Sequence, residues 1–220
     1  MKLNYLTAAA ASAALMIFAV PAFAADVTPA PAPSKNNSLS IEFSPEWSTA
    51  ASSYGQWADD YIKLGYSHTF DNNFVWGAAF QYTWRPDPKG TADQAETSLG
   101  YKIKSGAFTL TPSVLLGYGF GDQPRIDPHN NYADELYYAV ALAGDLKLDD
   151  HWTWNMFNAR YRNAFDVTWI TPKVSTGITY KIDGTSSIYT NVGYAWKDKG
   201  DGNGLQPDKW NVAIGYKLAF

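Results

Sequence analysis

The chain has 220 residues, with 17 Lys and Arg against 21 Asp and Glu and no cysteine, which excludes disulfides, thiolate metal sites and a lipoprotein anchor. Its 11 Phe, 9 Trp and 15 Tyr accompany a mean hydropathy of −0.29, too polar for a helical membrane protein. A formal charge of −4 argues against nucleic acid as a partner.

Lys2 precedes an apolar run from Ala8 to Val20, and then Pro21, Ala22, Phe23 and Ala24 supply the small-x-small pattern of a signal-peptidase site. Residues 1–24 are therefore expected to be a signal peptide cleaved after Ala24. The run is too short and alanine-rich for a transmembrane anchor. Residues 25–37 alternate Pro with small polar residues and predict an extended periplasmic tail.

Residues 38–220 predict an all-β domain. Ten segments of period-two hydropathy follow one another, at 38–47, 58–70, 74–84, 94–103, 108–120, 132–148, 152–162, 170–182, 187–196 and 210–220. In the third, Phe74, Trp76, Ala78, Phe80, Tyr82 and Trp84 share one face, with Val75, Gly77, Ala79, Gln81 and Thr83 on the other. The fifth carries Pro112, whose missing N–H suggests a bulge. In the seventh, Trp152 and Trp154 occupy even positions, but so do Asn158, Arg160 and Arg162 further along. An arginine on a lipid face costs about 2–4 kcal/mol at mid-bilayer, so a β-bulge near Met156 or Phe157 is expected to turn both arginines inward.

Connections between the segments alternate long and short, and the short ones carry turn residues such as Asp71-Asn72-Asn73 and Asp183-Gly184-Thr185-Ser186. Trp47, Trp57, Trp84, Trp169, Trp196 and Trp210 lie where segments meet long loops, whereas Trp76, Trp152 and Trp154 lie beside short turns. Two tryptophan belts with an even number of segments predict a ten-stranded antiparallel transmembrane up-and-down β-barrel. A soluble sandwich or lipocalin-like barrel, which hides its apolar face, is the competing fold.

The last segment alternates Trp210, Val212, Ile214, Tyr216, Leu218 and Phe220 with Asn211, Ala213, Gly215, Lys217 and Ala219. It resembles the closing strand of bacterial outer-membrane β-barrels, with Gly215, Leu218 and Phe220 at the spacing of the assembly signal and Ala213 where a polar residue is usual. The resemblance implies residence in the outer membrane, contact with its lipid and lipopolysaccharide, and recognition by the barrel-assembly machinery.

With the apolar face toward lipid, Glu42, Glu46, Lys63, Glu96, Asp145, Lys173 and Lys217 point inward. Two lumens fit that mixture, a plug of paired charges and a narrow water-filled pore. Asn158-Ala159-Arg160-Tyr161-Arg162 is similar to the arginine-bearing strands of small oligosaccharide porins that pass acidic sugars, which implies a porin-like role. Arg160, Arg162, Lys173 and Lys63 form the expected basic stripe for small anionic solutes, faced by Glu42 and Glu96. An interaction protein acting through its long loops is the second reading.

An omptin-like hydrolase is the third, since Asp127-Pro128-His129 and Asp59-Asp60 are of the residue types used there. Adjacent carboxylates diverge along a strand, however, and the chain reads as a non-enzyme. No cofactor or metal is expected. The Asp198–Gly204 stretch lacks the glutamate of a calcium loop, with Val212 in its place.

Overall fold

The computed structural model describes residues 35–49, 53–86, 89–121, 135–198 and 202–220. They contain strands β1 (Asn37–Ser48), β2 (Trp57–Thr69), β3 (Phe74–Pro86), β4 (Lys89–Thr91), β5 (Asp93–Tyr101), β6 (Ile103–Ser105), β7 (Phe108–Phe120), β8 (Glu135–Lys147), β9 (Trp152–Ala164), β10 (Lys173–Lys181), β11 (Ser186–Asp198) and β12 (Leu205–Ala219). Each long strand pairs antiparallel with its sequence neighbours, and β1 closes the ring on β12. The three residues of β4 only extend β3 at its loop end, while β5 and β6 are two parts of one strand. The wall is therefore a closed barrel of ten strands. At the start of β1, Asn37 Oδ1 accepts hydrogen bonds from Tyr66 Oη (2.7 Å) and His68 Nδ1 (2.8 Å). The expected signal peptide and nearly all of the tail lie outside the described residues.

The fold is inverted relative to a soluble protein. Leu64, Val114, Val140, Val192 and Ile214 are each half-exposed on the outer face, whereas Ser44, Asp59, Thr83 and Asn211 are buried on the inner one. Nothing but hydrocarbon stabilises such a surface, and a closed ring leaves no strand edge unpaired within it.

Two irregularities have readable causes. Gly144 pairs with Phe157 and Asp145 with Asn155, so Met156 is the extra residue of a bulge, where the phase change in β9 demanded one. The bulge shows also against β10, between Ser175 and Gly177. Pro112, by contrast, makes no bulge: it pairs with Leu142 without a register shift, and the pairs Gly100–Ser113 and Ile103–Leu110 stay in step. Its missing donor instead opens the ladder opposite Tyr101 and Lys102, which is why β5 and β6 are separate.

The short turns are capped from within. Asp183 Oδ1 accepts from the backbone N–H of Thr185 (2.6 Å) and Ser186 (2.7 Å), which holds its carboxyl at about 2. Asp149 Oδ1 accepts from the N–H of His151 and of Trp152, both at 2.7 Å, and is lowered for the same reason.

Inside the wall, aromatic rings lie flat on glycines of the neighbouring strand. Tyr137 covers Gly117 and Tyr189 covers Gly215, so a Cβ at either glycine would fall into the ring. Tyr137 is fully buried and cannot swing aside. Gly117→Ala is therefore expected to lower stability by about 1–3 kcal/mol, and by more than Gly215→Ala, in urea titrations of the barrel in phospholipid vesicles.

Candidate functional site

The lumen is divided into two chambers by side chains rather than by backbone. The chamber at the long-loop end has a volume of about 390 Å³, and the one at the short-turn end about 460 Å³. Ser40, Lys63, Asn158, Ser175, Tyr189 and Asn191 line both, and so mark the waist between them.

Glu96 is the hub of that waist. Its side chain is 7% exposed, and its oxygens accept from Arg160 Nη1 (3.0 Å), Tyr137 Oη (2.9 Å) and Lys63 Nζ (3.4 Å). Those donors come from β9, β8 and β2, so one carboxylate on β5 ties together three other strands. Glu42 stands nearby, accepting from Tyr61 Oη at 2.9 Å.

Around the long-loop chamber, a second network joins Lys209 to Glu46 (3.3 Å) and to Asp59, Arg85 to Asp59 (3.2 Å), and Lys173 to Glu46 (3.8 Å). Asp59 reaches the lumen because Glu46 pairs with Asp59 and Trp47 with Trp57, leaving Ala58 as a bulge. Asp60 points the other way, accepting from Trp57 Nε1 at 2.9 Å. These adjacent carboxylates do not converge on a common point.

Charge in this chamber is unbalanced. Lys63, Arg85, Arg160, Arg162, Lys173, Lys197 and Lys209 line it, against Glu42, Glu46, Asp59 and Asp208. Counting Glu96 as well, seven cations face five carboxylates among the described residues, although the whole chain is acidic. Arg162 contributes most to the excess. Its Nε donates to Thr171 Oγ1 (2.7 Å) and its Nη1 to Gln94 Oε1 (2.9 Å), and no carboxylate among the described residues pairs with it. Neutral partners fix the guanidinium without neutralising it.

The tryptophan belt needs one correction. Trp47 and Trp210 stack at 4.3 Å as girdle residues do, and Trp76, Trp152 and Trp154 are exposed at the other end. Trp169 is 7% exposed and sits inside the barrel mouth. There Arg162 Cζ lies 3.9 Å from its ring centroid, and Tyr137 meets it edge-on at 5.3 Å. A partnered arginine within reach outweighs the interface preference of an indole.

Neither a protein-family model nor a curated protein sequence matches the chain. Among solved structures it is similar to an outer membrane channel from Pseudomonas putida F1, with a TM-score of 0.53 and 12% identity over 89% of this chain and 100% of that one. The chain has the outer-membrane β-barrel fold. Weaker likenesses are to the KdgM porin in complex with disordered oligogalacturonate (TM-score 0.45, 16% identity, 82% of this chain and 99% of that) and to Neisserial surface protein A (TM-score 0.41, 9% identity, 84% and 97%). In an outer-membrane barrel short turns face the periplasm, so the 390 Å³ chamber is the outer one.

The sequence-derived residues therefore separate into two groups. Arg160, Arg162, Lys173, Lys63 and Glu42 line the outer chamber of this outer-membrane barrel, and Glu96 meets two of them at the waist. Gly215, Leu218 and Phe220 belong to the closing strand, where Leu218 pairs with Leu39 and Phe220 exchanges backbone hydrogen bonds with Asn37. Sequence reasoning passed over Tyr61, Arg85, Gln94, Tyr137 and Lys209. Arg85 shares the parity of Gln81, an inward residue, and was legible on that ground. Asp127-Pro128-His129 lies outside the described residues. Among the described residues no group of His, Asp and Glu is placed to hold a metal ion.

Proposed function

We propose that this barrel is a passive outer-membrane channel for small anionic solutes. The observation that carries the reading is the surplus of cations around the outer chamber among the described residues, above all Arg162, which makes no direct ion pair with a described carboxylate. A low-dielectric wall focuses such a field along the lumen and raises the local concentration of anions. The ion pairs at the waist span the passage with side chains, which can rotate aside without breaking the wall. Arg160 and Lys173 are directly opposed across β9 and β10, so the like charges already lean on carboxylates from across the lumen and would share an entering anion readily.

Planar-bilayer recordings under a KCl gradient test this. Anion-favouring reversal potentials are expected for the native barrel. Arg162→Ala should lower the chloride-to-potassium permeability ratio by a factor on the order of three or more, as expected for removing one unit charge at a low-dielectric constriction. A barrel that prefers cations, or that passes no ions in any variant, would sink the proposal.

A further inference from the structure

We propose that the place Trp169 occupies is a binding site for small aromatic carboxylates, closed at rest by the protein's own indole. The inference deepens the channel reading and rests on it for the solute's route, but its binding half can be measured without any ion flow.

Tyr137, Ala164, Trp169 and the adjoining Val167 form an apolar cluster inside a lumen otherwise lined by polar side chains. Within it, Arg162 presents the face of its guanidinium to the Trp169 ring at 3.9 Å, and Tyr137 presents its own ring at a right angle. That seat is built for a flat π-system.

The indole is not built into the wall. One end of its segment is fixed, since Thr171 N donates to Arg162 O (3.0 Å), Asp198 N to Ile170 O (2.9 Å) and Trp196 N to Pro172 O (2.9 Å). Ahead of that anchor, Asp166 and Thr168 are exposed, and Trp169 N is held by the side chain of Asn163 (2.8 Å), which also accepts from Ala164 N (3.0 Å). The Trp169 backbone N–H thus rests on one amide latch, and its ring stacks on side chains that another flat ring can engage in its place.

Trp169 satisfies only half of what surrounds it. It offers Arg162 a π-face but no negative charge, while Arg160 and Lys173 line the same chamber and Arg162 has no described carboxylate. A ligand with a planar ring and a carboxylate would meet both demands. An aliphatic acid would meet only the second.

The experiment uses the full-length barrel labelled with 5-fluorotryptophan in phospholipid nanodiscs, with Trp169→Phe to assign the resonance. Benzoate is expected to move the Trp169 fluorine signal toward its solvent-exposed position and leave the other tryptophans unchanged, whereas cyclohexanecarboxylate is not. In Trp169→Ala the seat is vacant, so 4-fluorobenzoate should bind about tenfold more tightly than to the native chain, which is the effect of removing an internal competitor present at about nine parts in ten. Asn163→Ala, which releases the latch but keeps the indole, should give an intermediate affinity.

A Trp169 signal indifferent to benzoate, or one that answers equally to cyclohexanecarboxylate, overturns the site. So does an affinity for 4-fluorobenzoate unchanged in Trp169→Ala. Failure of the channel reading looks different: the fluorine shifts appear as described while no variant conducts. Unchanged signals from the remaining tryptophans in each variant show that the barrel is folded.

Discussion

Replacing Glu96 with alanine is expected to be the most damaging exchange of a single lumen side chain. The substitution leaves Arg160 and Lys63 without their shared carboxylate at the waist and removes the nearer acceptor of the fully buried Tyr137, whose other acceptor, Gln94 Oε1, lies at 3.4 Å. Breaking a buried ion pair from one side costs about 3–5 kcal/mol. The side chains of Arg160 and Lys63 retain 22% and 31% exposure, so water in the chambers offsets part of that, and a loss of about 3 kcal/mol is expected. Glu96→Gln separates the contributions. The amide oxygen can still accept from Tyr137, so that variant should lose less stability, yet it removes the same negative charge. Both variants should therefore conduct with a stronger anion preference than the native barrel. Urea unfolding in vesicles reads the first effect and reversal potentials read the second. A loss below about 1 kcal/mol for Glu96→Ala would mean that lumen water screens the hub as it screens a surface pair.

This hub also shows where sequence reasoning stops. The period-two pattern marked Glu96 and Lys63 as inward, because parity along a strand follows from backbone geometry alone, and Arg160 joined them through the bulge expected near Met156 or Phe157. That Arg160 would meet Glu96, or Lys209 meet Glu46, depends on ring closure, strand tilt and shear, which no local pattern encodes. Glu96 therefore read as one lining residue among several, and its three donors from three strands came only with the fold.

Trp169 was missed for a different reason. Indoles at strand ends belong to the interface in a barrel, and eight of the nine tryptophans were placed on that basis without conflict. Trp169 alone lies in a connection rather than in a strand, between β9 and β10, where no parity fixes its direction. What decides its place is Arg162, two residues before the end of β9 and itself turned inward by the bulge. Pro112 teaches the opposite lesson: its chemistry was read correctly as a lost donor, but the chain absorbed the loss by opening one ladder instead of inserting a residue.

Deleting Met156 together with Phe157 is expected to abolish the barrel, because the bulge absorbs one residue and so sets Trp152 and Trp154 to lipid at one end of β9 and Tyr161 at the other. Loss of Met156 alone only straightens the strand and keeps every face, but with both residues gone an even number of steps separates Trp154 from Arg160 and the two halves share a single parity. If the periplasmic half keeps its face, Arg160 and Arg162 turn to lipid, at about 2–4 kcal/mol for an arginine at mid-bilayer and less near the interface. Glu96 then loses Arg160, and Trp169 loses the guanidinium beneath its ring. If the outer half keeps its face instead, Trp152 and Trp154 enter the lumen, Asn155 meets hydrocarbon, and the hydrogen bonds joining Asn155 to Asp145 and Thr179 are lost. Either route sums to roughly 5 kcal/mol or more, the whole stability of a typical domain. Deletion of Met156 alone should still fold, since both of its neighbouring ladders then run without a register shift. Refolding both variants into vesicles and scoring protease resistance separates them. A protease-resistant barrel from the double deletion, in which Arg160→Lys is still joined to Glu96 as an amide by carbodiimide, would show that the phase of β9 is set by something other than the bulge.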